Sequence, residues 1–191
     1  MLEELIQWDK AFFLYLNGLG TETWDGFWMY LSRTLSLVTI PIFLLLLVLS
    51  YRTFGLKRMI VLVITVTLLI TCTDQLSNFF KYGFGRLRPC YDNEIIDLMR
   101  LVKGYCGGKF SFFSAHAANS FTLATFFVFL LKHKYRILVP FLLLWAFLVG
   151  YSRIYIGVHF PLDVLTGILV GFLFGWVFSK LYIFATLKIR A

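Results

Sequence analysis

Groups able to do acid–base or redox chemistry are scarce in this sequence: its 191 residues include three histidines, three cysteines and ten acidic side chains. Internal repeats, low-complexity tracts and long linkers are absent, which argues against repeat arrays and tethered modules and leaves a single domain over residues 1–191. The N-terminus lacks the basic segment of a cleavable signal peptide, since Glu3 and Glu4 stand there and no small-residue cleavage site follows.

What is abundant is apolar. Hydrophobic residues make up 60% of the chain and the mean hydropathy is +0.81, well above the soluble range, so a bilayer is the expected solvent. Apolar stretches at 35–51, 58–80, 117–131, 136–151 and 162–185 predict five transmembrane helices. The segment Leu2 to Leu19 mixes Glu3, Glu4, Asp9 and Lys10 with Leu5, Ile6, Trp8, Phe12 and Phe13, the pattern of an amphipathic helix at the interface. Trp24 to Ser32 reads equally as a further interfacial helix or as the start of the first span. The expected fold is all-α: a polytopic membrane helix bundle of about six helices, five spans plus the N-terminal interfacial helix.

Charge sets an expected orientation. Arg52, Lys57 and Arg58, then Lys132, Lys134 and Arg136, then Lys180, Lys188 and Arg190 fall on one side with no acid among them, which the positive-inside rule makes cytoplasmic. The opposite end would then face the periplasm or cell exterior of a bacterial inner-membrane protein. A net charge of +8 divided between two faces, with no soluble aromatic-basic strip, argues against a nucleic-acid partner. Cys72 reads as a small core residue of a span. Cys90 and Cys106 share the exterior loop, where an oxidising compartment permits a disulfide without requiring one. The glycines Gly104, Gly107 and Gly108 suggest a mobile rim there.

The candidate chemistry gathers at that exterior end. His133 lies among Lys132 and Lys134 and reads as a solvated turn residue. His159 is followed by Pro161 and Asp163, where a helix begins; proline suits a first turn and the helix dipole favours an early carboxylate. Asp163 can reach back to the ring, fixing one nitrogen so that the other attacks, which makes His159 a candidate nucleophile. Taken alone, the pair would equally suit an interfacial anchor and a helix cap. Ser114 can cap the next helix and turn its amides towards an anion, with His116 beside it as a general acid. Lys81, Arg88 and Arg153 bring cations from three parts of the chain to offset charge on a phosphoryl group. Arg100, Lys103 and Lys109 read as ordinary interfacial snorkelling. Asp74, Asn78 and Lys81 share a helical face, and a carboxylate within a span needs a partner, either Lys81 or Arg86.

In order, these residues read Lys81-x6-Arg88-Pro89, Ser114-Ala115-His116 and Ser152-Arg153-x5-His159-x3-Asp163. The pattern resembles the three-part signature of the type 2 phosphatidic acid phosphatase (PAP2) family, spanning residues 81 to 163. The middle part departs from the usual Pro-Ser-Gly-His, with Phe113 for proline and Ala115 for glycine. Alanine keeps its N–H but does not freely adopt positive φ, so the phosphate-cradling turn is expected to be shaped differently. The resemblance implies phosphate binding by Lys81, Arg88, Ser114, Arg153 and the Ala115 amide, with His159 as nucleophile, Asp163 as its partner and His116 as general acid. It implies a phosphohistidine intermediate, hydrolysed with His116 acting as base, and neither metal nor other cofactor. The same motifs resemble vanadium-dependent haloperoxidases, but those are soluble and the apolar spans disfavour that reading.

Two classes of function stand at this stage. One is an integral-membrane lipid phosphatase drawing a lipid phosphate sideways from the membrane: undecaprenyl diphosphate, phosphatidylglycerol phosphate, phosphatidic acid or lipid A. By analogy a cell-wall carrier lipid or lipid A is preferred. The other is a non-catalytic transporter or phospholipid-binding protein. Transporters usually pair two halves with broken helices at mid-membrane, whereas here the polar groups gather at one end.

Overall fold

The computed structural model describes residues 1–33, 36, 38–187 and 189. Six helices succeed one another: α1 (Leu2–Gly18), α2 (Glu22–Leu31), α3 (Thr39–Phe84), α4 (Ala115–Leu131), α5 (Leu138–Tyr155) and α6 (Pro161–Thr186). The fold is all-α, and β pairing among the described residues is limited to an isolated bridge between Leu87 and Phe110.

α3, α5 and α6 are long and apolar enough to cross a membrane, while α4 is apolar but only 17 residues long. α3 is broken at Gly55, whose φ of 76° and ψ of 174° lie outside the helical region and in a range that glycine adopts freely. Its two arms double back. Thr39 and Asp74 line one cavity together with His116, whereas Phe54 and Arg58 lie at the other end beside Lys132 and Lys180. With both arms counted and α4 included, the described residues hold five apolar helical segments, equal in number to the apolar stretches of the sequence.

α4 is the hub, with Ala117, Ala118, Ser120, Thr122, Phe126 and Phe127 buried on several of its faces. A helix surrounded by other helices loses the one-sided apolar pattern of a surface helix. α6 meets it with Gly167, Gly171, Gly175 and Ser179, all buried and four residues apart. A Cβ added at Gly171 would fall 2.4 Å from the Ala118 carbonyl oxygen, and one at Gly167 would fall 2.7 Å from that of Ser114. The two backbones are therefore in contact, the arrangement by which small residues bring helices together where lipid removes the hydrophobic drive for association. This register sets the first turn of α6 against the start of α4, and the Ser114 amide donates to the Asp163 carbonyl at 3.0 Å.

The N-terminal helices close over that end. α2 is separate from α3, which decides between the two readings of Trp24 to Ser32. Trp28 stacks on Tyr155 at 5.3 Å and meets Tyr151 edge-on at 5.0 Å. Asp9, Phe13 and Asn17 form the buried face of α1, while Leu5, Trp8 and Phe12 are exposed. Asp9 turns inward because it finds partners there: Arg86 and the Leu162 amide. The outward apolar residues suit a helix lying at a lipid interface.

Three further expectations meet the structure here. Cys72 is exposed on the outer face of α3, so it is not a core residue. Cys90 and Cys106 are joined in a disulfide, with Cα atoms 6.0 Å apart. The glycine-bearing loop they close is tied down further, since Arg88 donates to the Phe110 and Cys106 carbonyls and Lys10 pairs with Asp92 and Glu94. At the opposite end, Arg58, Lys132, exposed His133 and Lys180 line one cavity, and Lys134 Nζ donates to the Arg52 carbonyl at 3.3 Å. Lys188 and Arg190, counted with these in the sequence, lie outside the described residues.

The glycine contact generates a test of the fold. Gly171→Ala places a methyl group against backbone and is expected to lower the melting temperature in detergent, by an amount corresponding to about 1–3 kcal/mol. Gly26→Ala, whose added Cβ meets nothing within 4 Å, leaves the melting temperature unchanged or slightly raised; equal melting temperatures for both variants would contradict the close packing.

Candidate active site

The residues singled out in the sequence occupy one end of the bundle. Lys81 lies in the last turn of α3, Arg88 just after that helix, Ser114 at the N-cap of α4 with Ala115 and His116 in its first turn, Arg153 in the last turn of α5, and Asp163 in the first turn of α6. His159 hangs in the link between α5 and α6. That link turns sharply at Gly157, where φ is 83° and a Cβ would strike the Arg100 carbonyl at 2.5 Å. Glycine is required there on both counts.

His159 is 2% exposed and Asp163 is fully buried. The imidazole Nδ1 lies 3.5 Å from Asp163 Oδ2, and among the described residues it makes no hydrogen bond. The pair is thus close enough to interact as charges but longer than a formed hydrogen bond, a looseness common to catalytic contacts before substrate arrives. Asp163 is held by other donors: Arg86 Nη1 on Oδ1 at 2.8 Å and the Phe160 amide on Oδ2 at 2.9 Å. Burial, and then the positive charges of Arg88, Arg153 and Lys81, hold the His159 imidazole well below its usual pKa, so it is neutral with a lone pair available.

The cations differ in how far they are committed. Arg88 spends Nε and Nη1 on the carbonyls of Phe110 and Cys106, at 3.2 and 2.9 Å. Arg153 is buried and donates Nη1 to the Ser32 hydroxyl, while its Nε has no partner among the described residues. An unpaired guanidinium N–H out of water costs roughly 1–3 kcal/mol or more, which a bound anion would recover. Ser114 accepts the Ala117 amide as a helix cap. Ala115 opens α4 with no left-handed strain, because no described residue other than glycine has positive φ. His116 lines a cavity of about 220 Å³ with Ser32, Arg33, Asp74 and Asn119 on its polar side and Leu31, Leu123, Trp145 and Val149 on its apolar side. It lies within electrostatic reach of Arg153, His159 and Lys81.

Some expectations change. Asp74 pairs with neither Lys81 nor Arg86 by hydrogen bond; its carboxylate accepts from Asn119 Nδ2 at 2.8 Å, because the two face each other across the α3–α4 contact. Arg86 instead bridges Asp163 and Asp9. Arg100 is no idle surface cation: its guanidinium meets Asp25 at 2.9 Å and its amide donates to Asn17 Oδ1 at 2.7 Å. Ser152 turns back on the Val149 carbonyl and stays out of the site. The residues not singled out for the site are Asp9, Ser32 and Ser111, the last fully buried beside the Arg86 and Leu87 carbonyls and in contact with Asp163. Asp9 and Ser32 gave no local signal, since their contacts join segments far apart in the chain.

A neutral buried imidazole, a carboxylate beside it, a second imidazole and three cations together suit attack on a tetrahedral anion and stabilisation of the charge that develops. Residues 58–186 match the PAP2 superfamily model. A lipid A 4'-phosphatase of Bacteroides thetaiotaomicron is 37% identical over 180 residues, covering 93% of this chain and 78% of the relative. A lipid A 4'-phosphatase of Porphyromonas gingivalis is 37% identical over 188 residues, covering 96% of this chain and 77% of the relative. Among solved structures, a transmembrane PAP2-type phosphatidylglycerolphosphate phosphatase from Bacillus subtilis superposes with a TM-score of 0.74 at 19% identity, over 98% of this chain and 90% of that one, a likeness of fold. The chain belongs to the PAP2 superfamily and is a membrane-helical phosphatase of it.

The burial of His159 has a measurable consequence. A lowered pKa means the ring stays neutral as pH falls through 6.5, the ordinary value, and takes its proton only further down. Histidine-selective NMR of the intact protein is expected to show the His159 ring still unprotonated at pH 6. Titration of His159 at or above 6.5 would contradict the picture.

Proposed function

We propose that this protein hydrolyses the phosphate monoester of a lipid A-type glycolipid through a phosphohistidine at His159. The observation that carries the reading is the convergence on one buried neutral imidazole of Asp163 from one side and of Arg88, Arg153 and Lys81 from the other. The names of the two relatives that nearly span the chain support the choice of substrate.

His159 Nε2 attacks phosphorus, the ester P–O bond breaks, and the departing alkoxide takes a proton from His116. Asp163 holds the Nδ1 side of the attacking ring and stabilises the charge it acquires. Water then attacks the phosphohistidine, with His116 accepting its proton; the P–N bond breaks and inorganic phosphate leaves. Lys81, Arg88, Arg153 and the N-terminus of α4 at Ser114 and Ala115 hold the phosphoryl oxygens throughout. The cavity beside His116, polar at one edge and apolar beneath, suits an amphiphilic leaving group. A transport reading gains no support from this arrangement, because the ionisable groups sit at one end of the helices and not at mid-membrane.

The orientation proposed is with the site on the periplasmic or exterior face. The basic cluster of Arg58, Lys132 and Lys180 at the far end supports it, as does the disulfide between Cys90 and Cys106 at the near end.

Purified protein is expected to release phosphate from lipid A in detergent, with chelator present. His159→Ala abolishes turnover, and His116→Ala costs at least about a hundredfold. Full activity in the His159 variant would remove the nucleophile assignment; release from undecaprenyl diphosphate but not from lipid A would move the substrate. In whole cells, an impermeant thiol reagent should label a cysteine introduced at Lys103 and spare one at Lys134, and the reverse pattern would place the chemistry in the cytoplasm.

A further inference from the structure

We infer that Arg86 and Asp9 are positioning residues of this site: Arg86 holds Asp163 in register with His159, and Asp9 ties that guanidinium to the N-terminal helix. The inference rests on the reading of His159 as nucleophile.

One guanidinium spans two carboxylates that solvent scarcely reaches. Arg86 Nη1 meets Asp163 Oδ1 at 2.8 Å, and Nη2 meets Asp9 Oδ2 at 2.6 Å, with the two acidic side chains 0% and 1% exposed. The other oxygen of each acid holds the backbone at the start of α6. Asp163 Oδ2 takes the Phe160 amide at 2.9 Å, and Asp9 Oδ1 takes the Leu162 amide at 2.9 Å. These are amides that a helix start leaves without partners of its own. The same guanidinium lies over the Phe160 ring, 4.3 Å from its centroid, and Phe160 meets Phe13 of α1 edge-on at 5.4 Å. One turn further along α1, Asn17 donates to the carbonyls of Ile154 and Tyr155 at 3.2 and 2.9 Å. α1 thus grips the end of α5 and the start of α6, the two points between which His159 is suspended.

The geometry has an electrostatic side that a simple clamp would lack. Asp163 on α6, Arg86 after α3 and Asp9 on α1 form one charged unit against His159. From the other elements the ring faces Lys81 on α3, Arg88 and Ser111 in the long loop, His116 on α4 and Arg153 on α5. Removing the Arg86 cation leaves Asp163 uncompensated and raises the pH at which the His159–Asp163 pair takes its proton. Removing the charge of Asp9 commits the guanidinium wholly to Asp163 and moves that pH the other way.

The test uses the full chain in lipid nanodiscs, with His159 followed by NMR and phosphate release measured beside it. Arg86→Gln is expected to move proton uptake at the pair upward by about one pH unit or more. It is also expected to lower kcat about a hundredfold with KM little changed, the scale of a misplaced catalytic group. Arg86→Lys, which keeps the charge, restores the titration; Asp9→Asn shifts it downward. A lower melting temperature in Arg86→Gln and Asp9→Asn with the imidazole unmoved would make these residues structural only and overturn the inference. Should Arg86→Gln fail to fold, the signs found for Arg86→Lys and Asp9→Asn decide. If wild-type protein releases no phosphate, or His159→Ala still does, the nucleophile reading fails while the titrations still judge whether Arg86 and Asp9 set the charge state of the pair.

Discussion

Asp163 is a carboxylate with no access to solvent at the end of a membrane helix, and much of the structure is arranged to keep it there. An ionised carboxylate taken from water without partners costs many kilocalories per mole and would simply protonate. Here it has Arg86 on one oxygen, the Phe160 amide on the other, and a helix N-terminus beneath it. The loop after α3, the link after α5 and the start of α6 must all be in place for this to hold. α1 supplies the outer half through Asp9, Phe13 and Asn17. A site of this kind does not form piecemeal, since loss of any one donor exposes a buried charge.

The second constraint is steric. Gly167, Gly171 and Gly175 let α6 approach α4 until their backbones touch, and that contact fixes how far along each helix the other begins. Ser114 reaches the Asp163 carbonyl because of it. The cap of α4, proposed to cradle phosphate, and the partner of the proposed nucleophile are thereby set by the packing of two apolar helices, with no loop adjusting the distance.

Much of this was legible in the sequence, and the rest was hidden for particular reasons. Apolar length predicts each span because lipid demands about 20 apolar residues whatever the neighbours. The three clusters are legible because their residue types are rare in such a chain: three cations, two imidazoles and an acid at helix ends are conspicuous among Leu and Phe. The patterning of α1 marks it as interfacial but does not say which residues meet the protein: Asp9, Phe13 and Asn17 turn inward, while Leu5, Trp8 and Phe12 face outward. The partners of Asp74 and Arg86 were less legible. Asp74 was offered Lys81 or Arg86, partners near it along the chain, while the structure finds Asn119 on α4 for Asp74 and Asp9 and Asp163 for Arg86. The four-residue spacing of Gly167, Gly171, Gly175 and Ser179 was in plain view, but within a continuous apolar run it reads as span composition until the facing backbone is known.

The departures of the middle motif acquire a physical meaning in this setting. Glycine before the histidine would permit a left-handed turn; Ala115 instead opens α4 in ordinary helical geometry, directly after a Ser114 cap with φ of −70° and ψ of 108°. The helix therefore starts one residue before His116, whose position is carried by a rigid first turn. Phe113, in place of proline, is buried and meets Phe80 on the second arm of α3 with the rings tilted and 5.8 Å apart, while Ser77 on that arm donates to its carbonyl at 3.0 Å. The entry to α4 is thus held by side-chain packing and a cross-helix hydrogen bond where a proline would have fixed it by its own ring. The cap remains in register with Asp163 because neither replacement alters the α4–α6 contact that sets it.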